Sequence, residues 1–251
     1  MSGHSKWSTI KRKKGLADAK RGAAFTKLSR EIVIAAREGG GDPDSNFRLR
    51  LAIDKARNGN MPKDNIDRSI KRGTGEDKDG VVFNEVTYEG YAPKGVAVIL
   101  ECLTENKNRT VAEVRHGLDK AGGSLGENGS VMWQFDRVTF FTFSNKEMDF
   151  DTAFELAIEA GADDVTEDDG MIEIIAPVNS FKDISEALRA ANVTPEDAGI
   201  RMDAKQEMEL SVEDTLQVLK TIEKLEELDD VQNVYHNMSI SDEAMTVLAK
   251  E

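Results

Sequence analysis

The chain has 251 residues, 39% hydrophobic and 32% charged, with a net charge of −14. That length supports a full core and two or three domains, and no apolar run approaches the roughly 20 residues of a membrane helix. The balance is uneven: residues 1–72 carry 18 Lys and Arg against 8 Asp and Glu, whereas 73–251 carry 15 against 39. A basic module of +10 on an acidic body of −24 excludes a uniformly acidic protein, and basic modules attract polyanions.

The N-terminus, MSGHSKWSTIKRKK, has no apolar stretch after its charges and is no secretory signal. Its first 17 residues have the basic, acid-poor character of a transit peptide, but Trp7, Ile10 and a glycine break suit a folded module better. From Ala17 to Glu38, Phe25, Leu28, Ile32 and Ala35 recur at three and four residues, the spacing of one helix face. Gly39–Gly41 end that helix, and Asp42-Pro43-Asp44-Ser45 supplies a turn and an N-cap. A second helix is expected from Asn46 to Arg57, and a third from Pro62 to Arg72, closed by Gly73. Three short helices make a small bundle.

Gly73–Gly80 is a polar linker, and the period changes beyond it. Strands are expected at Val81–Tyr88, Val96–Leu103, Val131–Phe135, Val138–Phe143, Met171–Ile175, Ile200–Leu210 and Val231–Met238. Helices are expected at Arg109–Ala121, Asp151–Ala160 and Phe181–Ala191, with a long one capped by Ser211. The stretches VILECLTENKNRTVAEVRHGLDKAGGSL and MIEIIAPVNSFKDISEALRAANV share a strand–loop–helix layout. They suggest two similar α+β lobes, with chance similarity the alternative.

The candidate binding set is Lys6, Trp7, Lys11, Arg12, Lys13, Lys14, Lys20 and Arg21, with Lys27 and Arg30 on the first helix. Cations so clustered, with no acid before Asp18, suit phosphate contact, with Trp7 stacking on a base or packing the arm down. A solvated tail and a nuclear localisation patch are the alternatives. No base-reading set is evident, so affinity without sequence readout is expected.

The other motifs carry less. Gly122-Gly123, Gly126 and Gly129 match no nucleotide-binding pattern and read as a strand connection, although glycine-rich loops can cradle phosphate. Asp163, Asp164, Glu167, Asp168 and Asp169 miss the spacing of a calcium loop and read as a solvated tip. His4, His116 and His236 are scattered, and no catalytic or metal-binding constellation is visible. Cys102 sits in an apolar strand and reads as a small buried hydrophobe; one cysteine excludes an intramolecular disulfide and fits a reducing cytoplasm. The leucine face of 211–228 is too short for a coiled coil and reads as a core helix.

Five segments carry a resemblance: GHSKW (3–7), REIVIAAREGGGDPDSN (30–46), NMPKDNIDRSIKRGTG (60–75), YEGYAPKGVAVILECLTENKNRT (88–110) and GGSLGENGSVMWQF (122–135). Together they make the chain resemble the YebC family of bacterial proteins, also called PmpR-like, which has a mitochondrial translational-activator branch. The chain starts directly at the first segment, which favours a bacterial, cytoplasmic member. The resemblance implies an α+β multidomain fold: an N-terminal helical bundle and two α+β (ferredoxin-like) lobes, one inserted in the other. The implied division is 1–76, then 77–135 with 208–251, then 136–207. It also implies a non-enzymatic nucleic-acid-binding regulator, without cofactor, metal, membrane or small-molecule substrate. Members are described as DNA-binding transcriptional regulators, and others as ribosome-associated translation factors acting at proline-rich stretches, which would meet ribosomal RNA. An acidic scaffold for basic proteins is the third reading.

Overall fold

The computed structural model describes residues 6–7, 18–76 and 83–248. Helix α1 (Asp18–Gly39) buries Ile32, Ala35 and Ala36 against Leu49, Ala52, Ile53 and Ala56 of α2 (Phe47–Asn58) and Ile66 of α3 (Lys63–Gly73). The stripe expected from the three-and-four spacing is the buried one, with Phe25 and Leu28 at its edge. The cap of α2 differs from expectation. Asn46 accepts the Leu49 N–H at 3.1 Å, while its Nδ2 donates to the carbonyls of Ala35 and Gly40, both at 2.7 Å. One buried side chain thus stops α1, starts α2 and fixes the corner between them.

Gly73, where the charge balance changes, is buried as the last residue of α3. A Cβ there would lie 2.5 Å from the Val33 carbonyl oxygen and 2.6 Å from the Ala36 Cβ, so only glycine lets α3 approach α1 this closely. Gly73→Ala should therefore destabilise the bundle by about 1–3 kcal/mol, the usual range for overpacking, as read by thermal unfolding.

Beyond the bundle lie two four-stranded antiparallel sheets. The first has the order β3-β1-β2-β8, from β1 (Asn84–Tyr91), β2 (Ala97–Thr104), β3 (Ser124–Leu125) and β8 (Val231–His236). The second has the order β5-β6-β4-β7, from β4 (Phe135–Ser144), β5 (Asp164–Asp168), β6 (Met171–Pro177) and β7 (Asp197–Ala204). Helices α4 (Lys107–Ala121) and α7 (Val212–Glu226) cover the first sheet; α5 (Phe150–Glu159) and α6 (Phe181–Ala190) cover the second, and α8 (Asp242–Leu248) packs on α7. The chain leaves the first sheet after β3, builds the second, and returns through α7 to β8.

The second lobe runs β4-α5-β5-β6-α6-β7, the split βαβ arrangement of ferredoxin-like folds. The first fills the same four places in a different chain order: β1, first in the chain, takes the place that β6 holds in the second. The two look-alike stretches of sequence therefore occupy non-equivalent places. Their likeness is that of any strand–helix unit.

Three expectations are corrected. Val131–Phe135 is a single turn of 3-10 helix at Met132–Gln134, after which β4 runs unbroken to Ser144. The acidic tip contains an edge strand, β5, because pairing with β6 and burial of Val165 outweigh its unfavourable composition. The strand expected over Ile200–Leu210 is shorter and earlier, at Asp197–Ala204. Elsewhere, Ser211 caps α7 as expected, accepting the Asp214 N–H at 3.2 Å. Cys102 is buried in β2, and burial pushes its thiol up to about 12.

Alternate residues of β2 face opposite ways. Val98, Leu100 and Cys102 join the core under α4 and α7, whereas Ala97 and Ile99 pack with Tyr235 on the other face. There they meet Val131 and Phe135, with Met202 and Ala204 of β7 at the margin, and so join the two sheets. Among the described residues, no helix is long and apolar enough to cross a membrane.

Candidate nucleic-acid interface

Four of the ten candidate residues have described side chains, and the structure brings them together around acceptors of the chain itself. Trp7 is buried in the core of the first lobe and donates its indole N–H to Glu226 Oε2 at 3.4 Å. Lys6 donates to the Ile240 carbonyl at 3.2 Å and lies 3.4 Å from Asp242. Lys27 donates to the Glu226 carbonyl at the end of α7. Cations beside the last carbonyls of a helix are favoured by its dipole. Arg30 donates to the carbonyls of Leu103 and Asp229 and to Asp230 Oδ1 at 2.9 Å, with its guanidinium 5.2 Å from the Phe83 ring centre. Trp7 thus packs the arm down, and Arg30 and Lys27 hold α1 to the first lobe. Lys20 and Arg21 lie in the first turn of α1, and Lys11, Arg12, Lys13 and Lys14 lie outside the described residues.

The centre of this dock is Asp230, whose Oδ2 also accepts from Thr104 at 2.9 Å, Thr110 at 2.8 Å and Arg109 at 2.8 Å. Burial pushes its carboxyl up, but the hydrogen bonds from Arg109, Thr110 and Thr104 and the charge of Arg30 outweigh this and hold it below the ordinary aspartate range. The carboxylate is therefore ionised and joins β2, α4, the α7–β8 connection and α1.

The outward side of the bundle has a different character. Helix α3 exposes Lys63, Arg68, Lys71 and Arg72, with Arg68, Lys71 and Arg72 at spacings of three and four on one side. Arg48, Lys55 and Arg57, by contrast, pair with acids: Glu38 and Glu85, Glu31, and Asp54 respectively. Asp64 and Asp67 are exposed in the first half of α3, so its cationic end is its C-terminal one.

The glycine-rich connection between β3 and β4 is built around an internal anion. Glu89, on β1, is 3% exposed and accepts the N–H groups of Gly129 at 2.6 Å, Val131 at 2.8 Å and Met132 at 2.7 Å. Burial pushes this carboxyl up, and the three N–H groups more than offset it, holding it below the ordinary glutamate range. The amides that could have cradled a phosphate hold a carboxylate instead. The turn that follows places Trp133 at the surface, 69% exposed, with its indole N–H donating to the Ser130 carbonyl at 3.1 Å.

Comparison with known proteins places these features. Residues 83–238 match the family described as "TACO1/YebC second and third domain", and residues 5–76 match "TACO1/YebC protein N-terminal domain". The chain belongs to the TACO1/YebC family. A relative from Geotalea uraniireducens is 52% identical over 98% of both chains, and one from Geobacter sulfurreducens is 52% identical over 99% of this chain and all of its own. Each is named a "Probable transcriptional regulatory protein". The crystal structure of a conserved hypothetical protein from Aquifex aeolicus superposes with a TM-score of 0.81 at 42% identity, covering 90% of this chain and 93% of that one.

In this family member, sequence reasoning missed Glu89, Asp230 and Trp133, and gave the cationic end of α3 no binding role. Arg68, Lys71 and Arg72 carried a legible signal, since cations at three-and-four spacing beside an apolar row share a helix face. Glu89 and Asp230 carried none, because their partners lie about 40 residues away in one case and up to 200 in the other.

Proposed function

We propose that this protein is a non-enzymatic, nucleic-acid-binding regulator of gene expression in the cytoplasm, acting through backbone phosphates. The observation that carries it is the charge arrangement: a +10 bundle, docked on a −24 body, that keeps Arg68 and Lys71 exposed and outside the ion pairs formed among the described residues. Lys11, Arg12, Lys13 and Lys14, with Lys20 and Arg21, extend the grip, while Lys6, Trp7, Lys27 and Arg30 set the position of the bundle. The relatives' name supports a role in transcription. The three units would be 1–76, then 77–135 with 208–251, then 136–207, of which the first binds.

Asp64 and Asp67 favour one refinement. A helix that reads bases from the major groove presents its N-terminal residues to them. Here that end carries exposed carboxylates, which phosphates repel. Contact is therefore with backbone rather than base edges, and the same grip would serve on ribosomal RNA as well as on DNA.

The test is a salt series on duplex DNA and RNA of random sequence. Six or more phosphate contacts should weaken binding roughly 10³-fold between about 50 and 200 mM salt. Arg68→Ala with Lys71→Ala should weaken all sequences alike and lower the salt slope by about 1 for each cation removed. A flat salt dependence would sink the phosphate grip. A preference for one DNA site over random DNA by roughly 10³ or more would return the protein to base-specific promoter binding.

A further inference from the structure

We infer that Trp133 is a fixed stacking platform for one unpaired nucleobase, a second point of contact beside the phosphate grip; the inference rests on the nucleic-acid reading above. A lone exposed apolar side chain is ordinary on a protein surface and by itself means nothing. This one differs because the chain is pinned on both sides of it. Before it, the Met132 N–H is held by Glu89 Oε2 at 2.7 Å. After it, the Gln134 carbonyl accepts the Lys205 N–H at 2.8 Å, and the Gln134 side chain accepts from Asn237 Nδ2 at 3.2 Å. Asn237 is in turn fixed by the Ala97 N–H at 2.9 Å. The turn itself closes through the Gln134 N–H on the Val131 carbonyl at 2.9 Å. A fold that holds a loop this firmly and still leaves a tryptophan ring in water has left a large apolar face without a partner of its own.

The ligand class follows from what the ring offers. Its N–H is already engaged by the Ser130 carbonyl, so the free contact is the π-face alone. The other exposed large apolar side chains among the described residues, Phe154, Ile158 and Val247, lie on α5 and α8, and none belongs to this loop. The neighbours in the loop are the exposed Glu127, Asn128 and Gly129. The platform is therefore one ring wide, whereas the core of a protein–protein interface is a cluster of buried aromatic and aliphatic anchors. A single flat face suits a single flat ligand, and stacking on aromatic rings is how sequence-tolerant proteins hold unpaired bases. Of the acids near the ring in sequence, Asp136 is paired with Lys205 at 3.2 Å, which leaves Glu127 as the exposed acid of the loop.

The chain's two tryptophans make the test direct, because Trp7 is buried and Trp133 is not. A uridine RNA oligomer of about 12 nucleotides, the thymidine DNA oligomer of equal length and an abasic deoxyribose-phosphate oligomer are titrated into the full chain while tryptophan emission is followed. Emission should be quenched by both base-bearing oligomers and not by the abasic one. Trp133→Ala should weaken the base-bearing oligomers roughly 5- to 150-fold, leaving abasic binding, the salt slope and the melting temperature unchanged. Trp133→Phe should bind within a few-fold of the parent and lose the quench. Equal quenching by the abasic oligomer, or undiminished binding in Trp133→Ala, would overturn the platform. So would a protein that Trp133→Ala no longer captures while its oligomer binding is intact. If no oligomer binds at any salt, the nucleic-acid reading itself fails, and that is seen with the parent protein alone.

Discussion

Replacing Asp230 with alanine should destabilise the protein by about 3 kcal/mol and loosen the helical bundle from the first lobe. The carboxylate is 1% exposed and accepts from Arg30, Arg109, Thr104 and Thr110. Alanine leaves a largely buried Arg30 without its counter-charge and the buried Thr104 hydroxyl without its acceptor, while Thr110 can still donate to the Asn106 carbonyl at 3.0 Å. Breaking one partner of a buried pair costs about 3–5 kcal/mol, and the low end applies because Arg109 is 42% exposed and can turn to water. Asp230→Asn should cost less, since it keeps one acceptor oxygen and loses the charge. Hydrogen exchange would separate the two consequences: amides of α1 should exchange faster in Asp230→Ala, whereas those of β6 in the second lobe should not. Uniform acceleration through both lobes would mean that Asp230 supports the global fold rather than the dock. The pH dependence has a definite sign. A carboxyl held below its ordinary value of 3.8 contributes its stability in full above that pH and loses it as pH falls through the depressed value. The dock should therefore loosen only below pH 3.8, and in Asp230→Asn that step should vanish.

The dock also shows what the sequence could and could not reveal. Apolar spacing placed α1 and α2 because a helix buries the stripe its period defines, and Ile32, Ala35, Leu49 and Ile53 have no alternative place to go. The same reasoning assigned Lys27 and Arg30, which lie off that stripe, to an external polyanion. Their partners are internal, near the junction of α7 and β8, about 200 residues later. A +10 module attracts any nearby anion, and the −24 body is the nearest one. Charge asymmetry is thus a signal for docking as well as for nucleic acid, and composition alone does not divide it between the two. Secondary structure failed where a distant group overrode local preference. Val131–Phe135 has the residues of a strand, but Glu89 gathers three of the loop's amides and curls the chain into a turn. Asp164–Asp168 has the residues of a loop, but β6 offers it an edge.

Glu89→Ala should release the loop that carries Trp133 and weaken binding of a base-bearing oligomer although Trp133 itself is intact. Three N–H groups lose their acceptor at once, and an unpaired buried donor costs about 1–3 kcal/mol. The loop lies at the surface and can rehydrate two of the three by opening, so the net destabilisation should be about 2–3 kcal/mol, felt locally. Glu89→Gln is the sharper variant. Its amide oxygen can serve one pair of donors, but its NH2 group then faces an N–H and repels it. The amide protons of Gly129, Val131 and Met132 report on the parent protein directly, because each is bonded to the titrating group. Their chemical shifts should move together, with one midpoint below the ordinary glutamate value of 4.5. By the same sign rule the brace is complete above pH 4.5 and weakens as pH falls through that lower midpoint. If Glu89→Gln binds the oligomers as the parent does while those three amides have lost their shifts, the ring does not need to be held still. Stacking would then depend on the presence of an indole there, and the loop's rigidity would belong to the fold rather than to the ligand.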